Sequence, residues 1–415
     1  MTRWPLLVAL ACSTPQPPDE PPAAPPPSPV EGEYTWRLPP HFPTPEVPDD
    51  NPMSTAKVEL GRHLFYDFQL SIDGGRSCGI CHEPAKGFTD GFVRAVGTTR
   101  QVHPRNTPSL TNIAFRAPLT WRHPTLDHLE EQLLTPLMGT EPIVEMGMGG
   151  QEALLVDRLR GFDPYPRLFA AAYPEDDDPF RLDNIAKAIA TFERTILSGT
   201  SPYDRFLAGD VDALPAAAQR GRELFFGDRL GCGACHGGLF LDRPGPEGSV
   251  QGQSGFYNTG QYNTDGKGSY PDYDQGLVEV TGLLEDTGRF RTPSLRNVAR
   301  TPPYNHDGTT ATLSHVLANY ARGGRNVSSG RHAGDGKTNP YKDPRITGFD
   351  LTDDDEAALL AFLDALTDEE ALADPAYADP FCRDRSKPAG CLPAFDPDAA
   401  LPPGGAPGRT VPGQR

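Results

Sequence analysis

The sequence predicts a mainly α-helical chain of two similar domains with long ordered loops, on three observations. A C-x-x-C-H pattern occurs at Cys78-Gly79-Ile80-Cys81-His82 and again, 154 residues later, at Cys232-Gly233-Ala234-Cys235-His236. Related segments flank both copies: Gly61-Arg62-His63-Leu64-Phe65 and Gly221-Arg222-Glu223-Leu224-Phe225 before, Pro108-Ser109-Leu110-Thr111-Asn112-Ile113 and Pro293-Ser294-Leu295-Arg296-Asn297-Val298 after. Between the motifs, apolar residues recur at helical spacing, and hairpin signals are confined to short pieces of 250–290. An internal duplication of helix, motif, long loop, Pro-Ser-Leu turn and helix accounts for this order better than one large domain.

In chain order, residues 55–65 and 216–226 are read as helices leading into the motifs, and 125–134 and 311–320 as helices after the Pro-Ser-Leu turns. Ile185, Ile189, Phe192 and Ile196 mark a helix that bridges the halves. Thr352, followed by Asp353 to Asp355, opens a capped helix running to about Leu366. The boundaries that follow are a leader at 1–12, a Pro-rich tether at 13–33, domains at 34–205 and 206–375, and a tail at 376–415. The 46 Pro and 43 Gly among 415 residues place much of the chain in loops, and the last fifteen residues read as disordered.

A net charge of −18 disfavours a nucleic-acid partner. Met1 to Arg3 and the apolar run Trp4 to Ala11 form a segment too short to span a bilayer, which reads as an export signal. Its closure on Cys12 resembles a bacterial lipoprotein processing site, which would leave Cys12 as a lipid anchor in the periplasm. In that oxidising compartment Cys382 and Cys391 are a candidate disulfide, with two unpaired thiols as the alternative.

The C-x-x-C-H motifs carry the chemistry. Two cysteines three apart form thioethers to both vinyl groups of a haem, and the next histidine then lies under the iron. With this composition, chance supplies on the order of 0.003 such motifs. Half a zinc site wants a second knuckle nearby, and a thiol redox pair has no need of the histidine. The cofactors are therefore two covalent haem c groups, held by Cys78, Cys81 and His82 and by Cys232, Cys235 and His236, which makes the two domains cytochrome c-like.

The second axial position decides what each iron does. In the first half, Glu145 is suited to shuttle a proton between peroxide oxygens and Gln132 to orient the peroxide, although each alone is more often a surface residue. In the second half, His306 or Tyr320 is the candidate distal ligand.

The motif pair, the repeated Pro-Ser-Leu turns and Pro303-Tyr304-Asn305-His306-Asp307-Gly308 together resemble the bacterial di-haem cytochrome c peroxidase and MauG superfamily, over about residues 40–375. The resemblance implies a peroxide-reactive N-terminal haem, a six-coordinate C-terminal haem, Trp121 between them, and Gln132 and Glu145 at the distal site. Peroxidases of the family carry a Met fourteen residues after the His of Pro-Tyr-x-His-Asp-Gly; here that position is Tyr320, the MauG-type ligand. Those peroxidases also have an inhibitory His before Pro-Arg-Asn, whose place before Pro104-Arg105-Asn106 is taken by Thr98, with His103 nearby as a possible substitute. The Gln132–Glu145 interval is longer than in those enzymes.

Asp50-Asn51-Pro52-Met53, Thr135-Pro136-Leu137-Met138-Gly139 and Arg289-Phe290-Arg291-Thr292-Pro293 are most similar to the MbnH branch, which oxidises a tryptophan of the copper-binding partner MbnP to kynurenine. The family also implies one calcium ion between the haems, mapped to the Asn106 side chain and the Thr301 and Pro303 carbonyls. The expected activity is a hydrogen-peroxide-dependent oxidase that forms a high-valent two-iron state and oxidises an aromatic residue on a docked protein. Its rivals are a cytochrome c peroxidase fed by a small cytochrome and a plain di-haem electron carrier.

Overall fold

The structure is a computed structural model that describes residues 34–140 and 144–382. The expected leader, tether, Cys12 and Cys391 lie outside the described residues; Cys382 is disulfide-bonded. Twelve helices run in chain order among the described residues. They are α1 (Thr55–Tyr66), α2 (Cys78–Cys81), α3 (Leu129–Met138), α4 (Glu152–Arg160), α5 (Tyr165–Ala172), α6 (Leu182–Glu193), α7 (Pro202–Leu207), α8 (Ala216–Phe226), α9 (Val278–Thr281), α10 (Leu313–Arg322), α11 (Asp353–Asp364) and α12 (Glu369–Leu372). Four two-residue strands form antiparallel pairs, β1 (Phe256–Tyr257) with β2 (Phe290–Arg291) and β3 (Asn326–Val327) with β4 (Gly334–Asp335). No described helix is long and apolar enough to cross a membrane.

The duplication is visible in the packing. In each half, the helix that precedes the haem motif crosses a later helix through a glycine. A Cβ on Gly61 of α1 would stand 1.9 Å from the Ala188 carbonyl oxygen of α6, and one on Gly221 of α8 would stand 1.9 Å from that of Ala358 on α11. Only a missing side chain lets the helices approach so closely. One turn further on, Phe65 packs on Phe192 and Phe225 on Phe362, each pair with ring centroids 5.2 Å apart. Two buried apolar clusters grow around these crossings, one including Leu60, Phe65, Ile185 and Ile189, the other Phe225, Leu317, Leu359 and Phe362.

The Asn of each Pro-Ser-Leu segment ties the halves together. Asn112 (φ 57°) and Asn297 (φ 60°) both adopt the left-handed conformation that Asn tolerates. Asn112 Nδ2 donates to the Ser198 carbonyl (2.8 Å) and its Oδ1 accepts the Ser198 N–H (2.9 Å), while Asn297 Nδ2 donates to Ser198 Oγ (3.0 Å). The chain beyond Pro375 also returns to the first half. Tyr377 is buried in that cluster, and its hydroxyl donates to the Thr195 carbonyl (2.6 Å).

The helix expected at 125–134 begins and ends four residues later, at 129–138, and contains Pro136. Pro136 sits in the last turn, where the helix loses only the bond to the Gln132 carbonyl. The short strands of 250–290 appear as β1 and the start of β2, and β3–β4 adds a pair outside that stretch.

Candidate active site

The histidines of the two C-x-x-C-H motifs, His82 and His236, are oriented by one repeated device. A carbonyl oxygen can only accept, so His82 Nδ1 donates to the Phe88 carbonyl (2.9 Å) and His236 Nδ1 to that of Leu241 (3.0 Å). That leaves Nε2 of each ring with its lone pair free for a metal. Burial holds both imidazoles below their ordinary range, His82 at about 4, so neither carries a proton on that nitrogen. Phe88 and Leu241 present their carbonyls from positive φ, 59° and 54°, a strained conformation for such side chains. The serine of each Pro-Ser-Leu turn supports the loop: Ser109 Oγ donates to the Gly87 carbonyl and Ser294 Oγ to the Phe240 carbonyl, both at 2.6 Å.

In the second half, a cavity of about 470 Å³ is lined by Cys232, Cys235, His236, Tyr320, Trp121 and Arg291, among others. Its size falls in the ~300–1,000 Å³ range of cofactor sites. Tyr320 reaches it from α10, with its hydroxyl bonded to Thr259 and its phenol pushed up by burial. His306 also borders the cavity, but its ring lies face to face on Phe290, with centroids 3.6 Å apart and planes 11° apart. Two buried guanidiniums complete the lining. Burial lowers Arg116 to about 9 and Arg291 to about 10, and their hydrogen bonds go to carbonyls: Arg116 to Ser109 (2.7 Å) and Thr111, Arg291 to Thr120 (3.0 Å) and Thr292 (3.0 Å). The nearby carboxylate of Asp242 is bonded to Arg243 (2.7 Å). Two cations without a carboxylate of their own suit a group that brings carboxylates, as haem does. The donor set and the cavity therefore fit a haem.

In the first half, the end of α3 positions the loop that carries Glu145. The last carbonyls of a helix have no partner within it. Here Met146 N–H donates to the Pro136 carbonyl (3.0 Å) and Met148 N–H to that of Leu137 (3.1 Å). Thr98 N–H holds the Glu145 carbonyl (3.0 Å), and Gly97 leaves room for Val144, whose oxygen would lie 2.0 Å from a Cβ there. Thr98 is thus a buried backbone support. Burial pushes the Glu145 carboxyl up to about 7, and its charge acts on both Cys78 and Cys81. Gln132 lies half-buried on α3, the helix to which this loop is bonded.

His103 is directed at Glu145. Its Nδ1 faces both the N–H (3.0 Å) and the carbonyl oxygen (3.2 Å) of Arg105, and its Nε2 lies 3.4 Å from Glu145 Oε1. Burial and the Arg105 charge lower this imidazole to about 4.

Trp121 is buried between the halves. Its Nε1 donates to the Asn106 carbonyl (2.9 Å), and its ring clusters with Tyr262, Tyr270 and Phe290. Asn106, Thr301 and Pro303 all line the same cavity. Asn106 Nδ2 is held by the Phe92 (2.8 Å) and Val93 (3.3 Å) carbonyls, which leaves Oδ1 as the free acceptor. Three neutral oxygens are compatible with calcium only if further oxygens complete its usual six to eight ligands. Among the described residues, no group of His, Cys, Asp and Glu has the geometry of a metal site.

The sequence motifs did not mark Arg116, the Phe88 and Leu241 carbonyls, or the approach of His103 to Glu145. The repeated Ser of Pro-Ser-Leu was the available signal for the carbonyl loops.

Duplicated haem-type motifs on a helical frame, with a cavity between the halves, define the class as a two-haem oxidoreductase. A family profile described as di-haem cytochrome c peroxidase matches residues 55–212. The chain is 35% identical over 363 residues to a cytochrome-c peroxidase of Denitromonas iodatirespirans, covering 81% of this chain and 88% of that one. It is 32% identical over 336 residues to the methylamine utilization protein MauG of Methylorubrum extorquens, covering 81% and 84%. A solved MauG-like protein associated with microbial copper homeostasis superposes with a TM-score of 0.80 at 45% identity, covering 84% of this chain and 100% of that one. The chain belongs to the di-haem cytochrome c peroxidase and MauG family.

Proposed function

We propose that the chain is an exported, peroxide-dependent di-haem oxidase that oxidises an aromatic residue, a tryptophan taken to kynurenine, on a partner protein. The observation that carries this reading is Tyr320, which lines one cavity with His236 where peroxidases of the family place a Met. An anionic oxygen ligand favours ferric and higher oxidation states. The two haem c groups, attached at the C-x-x-C-H cysteines, supply iron chemistry that takes oxidising equivalents from peroxide. At the first site, where His82 would hold the haem, Glu145 would take up a proton from peroxide and return it, and Gln132 would orient the peroxide. Trp121 lines the cavity of His236 and Tyr320, where Arg116 and Arg291 would pair with the carboxylates of a bound haem. Asn106 Oδ1 and the Thr301 and Pro303 carbonyls hold a calcium ion between the halves, with water or haem oxygens filling its shell.

The domain division at 34–205 and 206–375 assigns peroxide reactivity to the first half and electron storage to the second. The periplasm, with Cys12 as an optional lipid anchor, suits haem attachment. The MauG-like neighbour associated with copper homeostasis supports a copper-binding partner of the MbnP kind.

Electron paramagnetic resonance of the ferric protein tests the reading, with one high-spin and one low-spin haem expected. Stoichiometric peroxide should then yield a modified tryptophan in the partner, read by mass spectrometry. Two low-spin haems that react only after reduction would favour the second reading, a cytochrome c peroxidase, which the naming of the Denitromonas relative supports.

A further inference from the structure

Trp121 opens away from the haem cavity onto a second series of rings. It shares a buried cluster with Phe290, Tyr270 and Tyr262. Centroids of Phe290 and Tyr270 are 6.0 Å apart, and those of Tyr270 and Tyr262 are 5.5 Å apart. From Tyr262 the contacts run outward to His332 at 6.3 Å and on to Tyr273 at 5.6 Å, and the Tyr273 hydroxyl also interacts with Tyr262 directly. Tyr262 is 4% exposed and Tyr273 is 40% exposed, so the series begins beside Trp121 and ends in solvent.

The tyrosines differ in where their protons can go. A phenol is oxidised readily only when its proton leaves with the electron. Tyr262 donates to Asp307 Oδ2 at 2.5 Å, and Asp307 is fixed by the Thr309 N–H (3.1 Å) and hydroxyl (2.7 Å) on its other oxygen. The Arg325 guanidinium stands 5.4 Å over the Tyr262 ring, so positive charge on that ring is opposed and transfer of the proton to Asp307 is favoured. Tyr270 instead donates to Asn258 Oδ1 (2.8 Å), an amide that cannot take up a proton. Tyr270 therefore packs, and Tyr262 is equipped to react.

The outlet lies on the seam of the two halves. Arg94 covers the Tyr273 ring at 5.1 Å, and Phe92 and Val93 beside it are exposed. Gly308, at φ 65° and next to Asp307, admits the Val93 carbonyl, whose oxygen would lie 2.1 Å from a Cβ there.

We propose that Tyr262 and Tyr273, with Asp307 as proton acceptor, carry oxidising equivalents from Trp121 to the protein surface. This rests on the peroxide-oxidase reading, in which hydrogen peroxide acting at the haems is the oxidant. Tyr262 gives one electron to Trp121 that has itself lost one; its phenolic O–H bond breaks and the proton forms an O–H bond on Asp307 Oδ2. Tyr262 then takes back that proton, with an electron from Tyr273, whose own phenolic proton passes to solvent. The resulting Tyr273 phenoxyl radical is reduced by one electron and one proton from an aromatic side chain of a docked protein. A two-electron oxidation takes two such passages.

The test is spin-trapping of the haem-loaded protein with a nitroso trap and stoichiometric peroxide, with adducts mapped by peptide mass spectrometry. Adducts are expected at Tyr273, and their yield should fall on the order of tenfold or more in Tyr262→Phe and Asp307→Asn, where proton transfer is lost. Tyr273 left unlabelled in the unmodified protein, or labelled equally in both variants, overturns the proposal. The haem absorption change on adding peroxide is followed in each sample; if a variant fails to fold or load haem, the unmodified protein's adduct map decides. Partner oxidation without Tyr273 labelling sinks the outlet and leaves the oxidase reading standing. Labelling without oxidation of any partner does the reverse, and a ferric protein inert to peroxide overturns both.

Discussion

Glu145 has the residue-level property that acid–base chemistry at neutral pH requires, because burial alone moves its carboxyl to about 7. In the proposed role the ionised form takes the proton from peroxide, so the rate of the ferric protein's reaction should rise as pH increases through about 7 and level off above it. Glu145→Gln should flatten that profile and slow the reaction by roughly 10²–10⁴-fold; stopped-flow absorption at the haem bands reads both. The same shift costs stability in the opposite sense. A carboxyl raised in the folded state contributes fully below its unfolded value near ~4.3 and loses that contribution as pH rises through the folded value. Tyr320→Phe removes the proposed ligand oxygen and keeps the ring, so the low-spin ferric signal should disappear while the chain still folds; a surviving low-spin signal would assign the ligand elsewhere. Such roles were legible where a residue type has few other uses, as in C-x-x-C-H. His103 was visible as a histidine but not as the neighbour of Glu145, because the Arg105 backbone groups that orient its ring have no signature in the sequence.

At the scale of elements, the sequence repeats predict the right helices where an apolar stripe and a cap coincide. Thr352 accepts the Asp355 N–H and opens α11 as expected, and α1 and α8 match their expected spans to within a residue. The expectation missed α4, α5 and α7. α4 carries its apolar face on little more than Leu155 and Leu159, and α7 is a six-residue helix started by the Ser201–Asp204 capping box. The helix of Gln132 runs on to Met138 through Pro136, because a proline in the last turn costs one bond and leaves the carbonyls that capture the Glu145 loop. The glycine crossings belong to this scale. Gly61→Ala and Gly221→Ala would each press a methyl against a backbone oxygen, and each should destabilise the fold by about 1–3 kcal/mol or more, measured by denaturant unfolding of the haem-loaded protein. Equal penalties at the two sites would reflect the equal approach distances; a neutral substitution at either would show that the helices shift apart at little cost.

For the whole molecule, the duplication was legible but the way its copies are joined was not, because the joint is made of hydrogen bonds between residues far apart in the chain. Ser198 receives Asn112 from one copy and Asn297 from the other, and Tyr377 returns from beyond the second copy to bond the carbonyl of Thr195. Neither half closes on itself. Unfolding of the haem-loaded protein should therefore be one transition by calorimetry, and a chain cut after residue 205 should lose the first half's cooperative melt along with the second; an independently melting 34–205 fragment would contradict this. The shared serine has one more consequence. Both copies anchor to the same residue through equivalent asparagines, Asn112 and Asn297. A change at residue 198 therefore acts on both copies at once, where a change at either asparagine acts on one.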